Sequence, residues 1–157
     1  MSTTTGQTEL WASLMRGQAL LADAVSDRLE AEAGIPLAWY EVLAVLADAP
    51  EGALRMQDLA NSMWLSKSGL TRLCDRIEEA GYISRASCPT DRRGTFAVIT
   101  ETGRAKVRHA RPIFARASQD LFLQHLSARE RDALQSAMAK IIGANTQDEQ
   151  PRAGRKR

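Results

Sequence analysis

Residues 65–100 read LSKSGLTRLCDRIEEAGYISRASCPTDRRGTFAVIT. In the first half, Leu70, Leu73, Cys74 and Ile77 recur at helical spacing on one side, and Lys67, Ser68, Thr71, Arg72, Asp75 and Arg76 fall on the other. Ser66 stands where a side-chain oxygen can accept from a free backbone N–H and start the helix. Gly81 stands where a left-handed residue stops it. Two β-like runs follow, 83–87 and 95–100. In the second, Phe96 and Val98 alternate against Ala97 and Ile99, the pattern of a half-buried hairpin. Pro89 and Gly94 bracket the connecting tip, which carries Asp91, Arg92 and Arg93.

Working outward, 9–32 predicts a long helix, with Leu14, Leu21, Val25 and Leu29 on one stripe widened by Trp11, Met15 and Ala22. Gly34 ends it and Pro36 opens a second helix at 37–48, which turns Leu43 and Leu46 inward. The break at Pro50-Glu51-Gly52 leads to a very short strand at 54–56 and a third helix at 57–63. After the hairpin, Thr100 can cap a helix running to about residue 125, in which Pro112 predicts a kink or break. Ser127 to Glu130 form a capping box for a last helix carrying Leu134, Met138, Ile141 and Ile142. From Asn145 the chain turns polar and basic, and a disordered end is expected. The first and last helices hold more apolar surface than a small lobe can cover, which suggests an interface between two subunits.

The expected fold is mainly α with a small β-hairpin wing: a winged helix-turn-helix between N- and C-terminal dimerisation helices. A major-groove helix needs small or flexible polar groups outward. Ser66, Lys67, Ser68, Thr71, Arg72 and Arg76 supply groups that bond phosphates or base edges, and Gly69 would permit close approach. Asp75, Glu78 and Glu79 should point sideways or pair with arginines. A tip arginine suits a narrow minor groove, where Asp91 could hold a guanidinium in place. Charge agrees. Residues 1–50 hold two bases against seven acids, a net of −5, so residues 51–157 carry +7 of a total of +2. A basic half fits a polyanionic partner as well as a solvated surface.

The two quoted blocks, LSKSGLTRLCDRIEEAGYISR and CPTDRRGTFAVITETGRA, resemble the MarR/SlyA family of bacterial transcription regulators in order and spacing. The DRRG tip, with a Thr-x-x-Gly-Arg helix start about six residues on, is the specific part, and the likeness extends over about residues 8–145. It implies a homodimer on a pseudo-palindromic operator in double-stranded DNA, with helix 67–76 in the major groove and Arg92 or Arg93 in the minor groove. Such proteins mostly repress, and many release DNA when a small, often aromatic and anionic, effector binds. The implied divisions are an N-terminal dimerisation helix at 8–33, a winged helix-turn-helix at 36–100, C-terminal helices completing the dimer interface at 101–145, and a basic tail at 146–157. A first helix of 24 residues would be about 36 Å long, near the roughly 34 Å between half-sites one DNA turn apart.

In the family, effectors lodge between the dimer helices and the winged lobe. Candidates here are Trp11, Met15, Arg16, Trp39 and Tyr40, with Arg16 placed to meet a carboxylate. The bland alternative makes Trp11 and Trp39 core anchors. Cys88, close to Arg92 and Arg93, is a candidate redox switch, whereas Cys74 reads as a small core residue. Enzymatic readings find little: His109 and His125 lack acid or nucleophile partners at useful spacing, and no phosphate loop, cofactor motif or metal-ligand set is present. Neither a signal peptide nor a membrane span is expected, and two cysteines fit a reducing cytoplasmic compartment. A winged helix that docks protein rather than DNA is the other architecture-level reading.

Overall fold

The computed structural model describes residues 2–63, 65–87 and 95–146. Six helices surround a small sheet: α1 (Ser2–Ala33), α2 (Leu37–Asp48), α3 (Met56–Ser62), α4 (Lys67–Glu79), α5 (Glu101–Leu121) and α6 (Ala128–Thr146). The strands are β1 (Ala53–Arg55), β2 (Ile83–Ser87) and β3 (Thr95–Ile99). They pair antiparallel in the order β1-β3-β2, with Ala53 opposite Val98, and Ile83 opposite Ile99. The expected winged helix-turn-helix is thus the observed one, with the short strand completing the sheet.

One core joins α1 to α5 and the sheet. Leu29 of α1, Leu43 and Leu46 of α2, Leu59 of α3, Leu70 and Ile77 of α4, and Val107 of α5 are fully or almost fully buried together. Ala97 and Ile99 point inward from β3 while Phe96 and Val98 are half-buried, as their alternation requires. Thr100 caps α5 by accepting from the Gly103 amide at 3.0 Å, and its hydroxyl donates to the Gly81 carbonyl at 2.7 Å. Gly81 adopts φ 77, the left-handed stop expected after α4. The capping box at α6 forms: the Ser127 amide donates to the Glu130 carboxylate at 2.8 Å, and the Glu130 amide returns to Ser127 Oγ at 3.4 Å.

Several expectations are corrected. α1 begins at Ser2, seven residues before the apolar stripe predicts. α5 passes through Pro112 as one helix and ends at Leu121, with a 3₁₀ turn over Leu123–His125. Proline removes one bond, but Ala110, Ile113 and Ala117 are buried on both sides of it, and packing against α1 outweighs that loss. α6 continues to Thr146, past the start of the expected disordered end. The rest of the tail, 147–157, lies outside the described residues, as does the wing tip 88–94 with Cys88, Asp91, Arg92 and Arg93. Among the described residues no helix is long and apolar enough to cross a membrane.

The helix α5 starts against the turn that follows α4. A Cβ at Gly103 would overlap the Tyr82 carbonyl and crowd Ile99. Gly103→Ala should therefore cost about 1–3 kcal/mol by overpacking, read as a lower denaturant midpoint at an unchanged m-value; wild-type stability would refute this packing.

Candidate nucleic-acid interface

The helix α4 is built to show one face and hide the other. Leu70, Cys74 and Ile77 are buried and Leu73 half-buried, so the polar face is the only one left to water. Ser66 caps it as expected: the Gly69 amide donates to Ser66 Oγ at 3.1 Å, and Ser68 Oγ lies 3.3 Å from the same oxygen. A Cβ at Gly69 would press on that cap, so the glycine serves the helix start itself. Lys67, Ser68, Thr71 and Arg72 are all exposed on the outer face. Thr71 Oγ1 donates to the Lys67 carbonyl at 2.8 Å, leaving its oxygen lone pairs outward, while Arg72 Nε only grazes the Ser68 carbonyl at 3.5 Å.

Arg76 is exposed but engaged. Its guanidinium lies 5.8 Å from the centre of the Trp39 ring, a cation–π contact that ties α4 to α2. Trp39 meets Tyr82 edge-on at 6.1 Å, and Lys106 Nζ stands 5.4 Å from the Tyr82 ring. A ladder of two rings capped at each end by a cation thus runs from α4 across α2 to α5.

The residue that sequence reasoning missed is Arg85. From β2 its Nη1 reaches Asp75 at 2.7 Å and Glu78 at 3.0 Å, and its Nη2 donates to the Thr71 carbonyl at 3.3 Å. Its own amide donates to Glu78 Oε1 at 2.9 Å. One side chain therefore fixes α4 against the sheet at three points along the helix. Asp75 and Glu78 pair with an arginine, as the sequence suggested. Arg85 sits between the quoted blocks' helix and wing, but its partners become visible only when strand and helix fold together.

The charge asymmetry also has a second explanation. Part of the basic character of α5 is spent on the acidic part of the chain, where Arg116 pairs with Glu32 at 3.0 Å and Arg111 pairs with Asp48, and part within α5 itself, where Arg108 pairs with Glu101 at 3.0 Å. Lys106 Nζ donates to the Ala33 carbonyl at 3.0 Å, and His109 Nε2 lies 3.1 Å from the Glu32 carbonyl, where the end of α1 leaves unpaired acceptors. Among the described residues, α4 keeps Lys67 and Arg72 exposed on its outer face.

The five effector candidates do not converge within the subunit. Trp11, Met15 and Arg16 are exposed on the N-terminal half of α1. Tyr40 is buried and stacks on Phe114 at 4.7 Å, and burial raises its phenol pKa. Trp39 packs in the ladder, and its indole Nε1 is buried with no partner among the described residues. Burial likewise pushes the Cys74 thiol up to about 11, which fits a packing role. His125 is exposed in the 3₁₀ turn. Among the described residues no group of three or more His, Cys, Asp or Glu side chains could hold a metal.

The MarR family description matches residues 33–94, the stretch from the end of α1 to the wing. Over the longer range, the chain superimposes on Sco3205, a MarR family transcriptional regulator from Streptomyces coelicolor, with a TM-score of 0.85 and 29% identity, covering 94% of this chain and 92% of that one. Residues 33–94 thus match the MarR family, and the fold is that of MarR family regulators. AbsC, another MarR family regulator of Streptomyces coelicolor, superimposes with a TM-score of 0.85 at 28% identity, covering 94% and 98% of the two chains. The transcriptional repressor MprA of Escherichia coli (strain K12) is 26% identical over 136 residues, 87% of this chain and 76% of its own. All three of these similar proteins are named as transcriptional regulators or repressors.

Two outcomes follow for this MarR-family lobe. Replacing Arg85 by Met should remove about 1 kcal/mol of stability, the discounted value of a part-exposed ion-pair network, and should speed amide exchange at residue 85 itself, whose partner carboxylate is then unanchored. Unchanged exchange there would disprove the clamp. In the folded protein at pH 8, Cys74 should resist a thiol reagent that labels it rapidly after unfolding, because only the thiolate reacts and burial disfavours it.

Proposed function

We propose that this regulator acts as a homodimer that reads a pseudo-palindromic operator in duplex DNA and represses from it, with a small molecule relieving repression. The observation that carries the reading is α4: a capped helix whose outer face of Lys67, Ser68, Thr71 and Arg72 is free for phosphates and base edges, while Arg85 holds its pose. Its N-terminus adds unpaired amides, a favourable place for a phosphate. The structure of Sco3205 is a complex with DNA, and CouR, a transcriptional repressor 25% identical to this chain, is bound to a 23-mer duplex. Arg76 would act mainly through Trp39, as a positioning residue. Arg92 and Arg93, guided by Asp91, are assigned to the minor groove.

Support for two copies comes from uncovered apolar surface. Leu10 and Trp11 are 73% and 66% exposed on α1, and Ile141 and Ile142 are each 50% exposed on α6, a helix with no buried residue. A monomer leaves these in water, and a second copy would cover them. The 32 residues of α1 make it about 48 Å long. That exceeds one turn of DNA, so half-site spacing would follow from how two such helices cross and not from their length. The N-terminal division at 8–33, the lobe at 36–100 and the helices at 101–145 belong to this proposal.

Duplex binding should fall steeply with salt, with a log–log slope near −0.9 per phosphate neutralised. Arg72→Ala should flatten that slope by about 0.9 if it meets phosphate, and Arg92→Ala with Arg93→Ala should weaken binding and relax preference at flanking A·T positions. Trp11→Glu should halve the sedimenting mass. A chain that stays monomeric, or a salt-insensitive one, would instead favour a winged helix that docks protein.

A further inference from the structure

A groove of about 330 Å³ opens between α2 and the end of α3, lined by Tyr40, Glu41, Ala44, Val45, Ser62 and Met63. This volume is in the range of small-molecule sites. Its wall is mostly apolar, and the Ser62 hydroxyl is already committed to the Asp58 carbonyl at 2.9 Å. One charged group lines it. The Glu41 carboxylate has no ion pair or hydrogen bond among the described residues, and desolvation raises its pKa. Glu41 is exposed, so water still reaches this carboxylate, but its charge stands unbalanced on the groove's otherwise apolar wall. No basic side chain lines the groove among the described residues. Arg16, the cation suggested for a carboxylate ligand, is not part of it.

We propose that this groove is an effector site for an organic cation with an apolar body, its charge set against Glu41 and its body against Tyr40, Ala44, Val45 and Met63. The chemistry selects the sign. An aromatic anion would meet a like charge with no basic group in the lining to offset it, whereas a cation would neutralise the acid that lines the groove. The site also has a route to the reading helix. Met63 ends α3 three residues before Ser66, the cap of α4, and the Leu65 amide is bonded to the Ala60 carbonyl at 3.2 Å. A molecule wedged between α2 and α3 therefore displaces the segment that positions α4. This effector role rests on the DNA reading above; the binding itself does not.

The test uses the full-length protein without DNA, titrated with benzyltrimethylammonium, with benzoate, and with neopentylbenzene as the uncharged isostere of the cation. Thermal midpoint and the methyl NMR signals of Val45 and Met63 are followed. The expected result is saturable stabilisation by the cation, shifts at both methyl groups, and at least about tenfold weaker binding of the other two. Glu41→Gln should erase the preference for the cation, and Ala44→Phe, which fills the groove while leaving Glu41 in place, should abolish binding. Benzoate binding as tightly as the cation, a preference that survives Glu41→Gln, or no saturable binding would overturn the site. If a duplex is bound by the protein, the cation should weaken that complex, and the duplex should weaken cation binding by the same factor; equal affinities would overturn the effector role. Failure to bind any duplex would count against the DNA reading alone, since the groove titration is read without DNA.

Discussion

The pose of α4 depends on a single guanidinium. An amphipathic helix with a buried apolar stripe can still slide or roll on the core, because dispersion contacts carry little direction. Arg85 removes that freedom by bonding to Thr71, Asp75 and Glu78, one turn apart on the same helix edge. Its planar fork serves carboxylates and a carbonyl at once, which the point charge of lysine does not reproduce. The strand that carries Arg85 is in turn registered by β3, where Arg85 faces Ala97. Helix, wing and sheet are thereby coupled.

A second brace enters from the opposite side. Arg76 and Lys106 flank the paired rings of Trp39 and Tyr82 from α4 to α5, and α5 packs along α1. The reading helix is therefore mechanically continuous with the long helices that leave apolar surface uncovered. This gives a physical path by which an event at that uncovered surface can alter the angle of α4. The groove between α2 and α3 lies on the same path, at the element that directly precedes α4.

Electrostatics in this chain divides into internal and external uses. Two acids of the first third are met from the basic α5, Glu32 by Arg116 and Asp48 by Arg111, and Lys106 bonds the last carbonyl of α1. Such exposed pairs are individually weak, but they define which helix edge faces which. Among the described residues, α4 offers an outside polyanion a small and local face of Lys67, Ser68, Thr71 and Arg72. Net charge of whole segments was thus a poor guide to where a partner binds.

From the sequence alone the helix and strand order could be read, together with the Ser66, Thr100 and Ser127 caps, the stop at Gly81, the inner face of α4 and the family. Each is a local pattern: periodicity, a capping hydroxyl, a glycine at positive φ. Tertiary structure decided the rest. Pro112 lies within an unbroken α5 because packing against α1 outweighs one lost bond. Arg85 proved to be the clamp, Arg76 proved to be committed to Trp39, and Glu41 was left without a partner in a groove, because each of these depends on which side chains from distant segments meet. Local pattern specifies what a helix will bury; only the assembled chain specifies what its charged groups will touch.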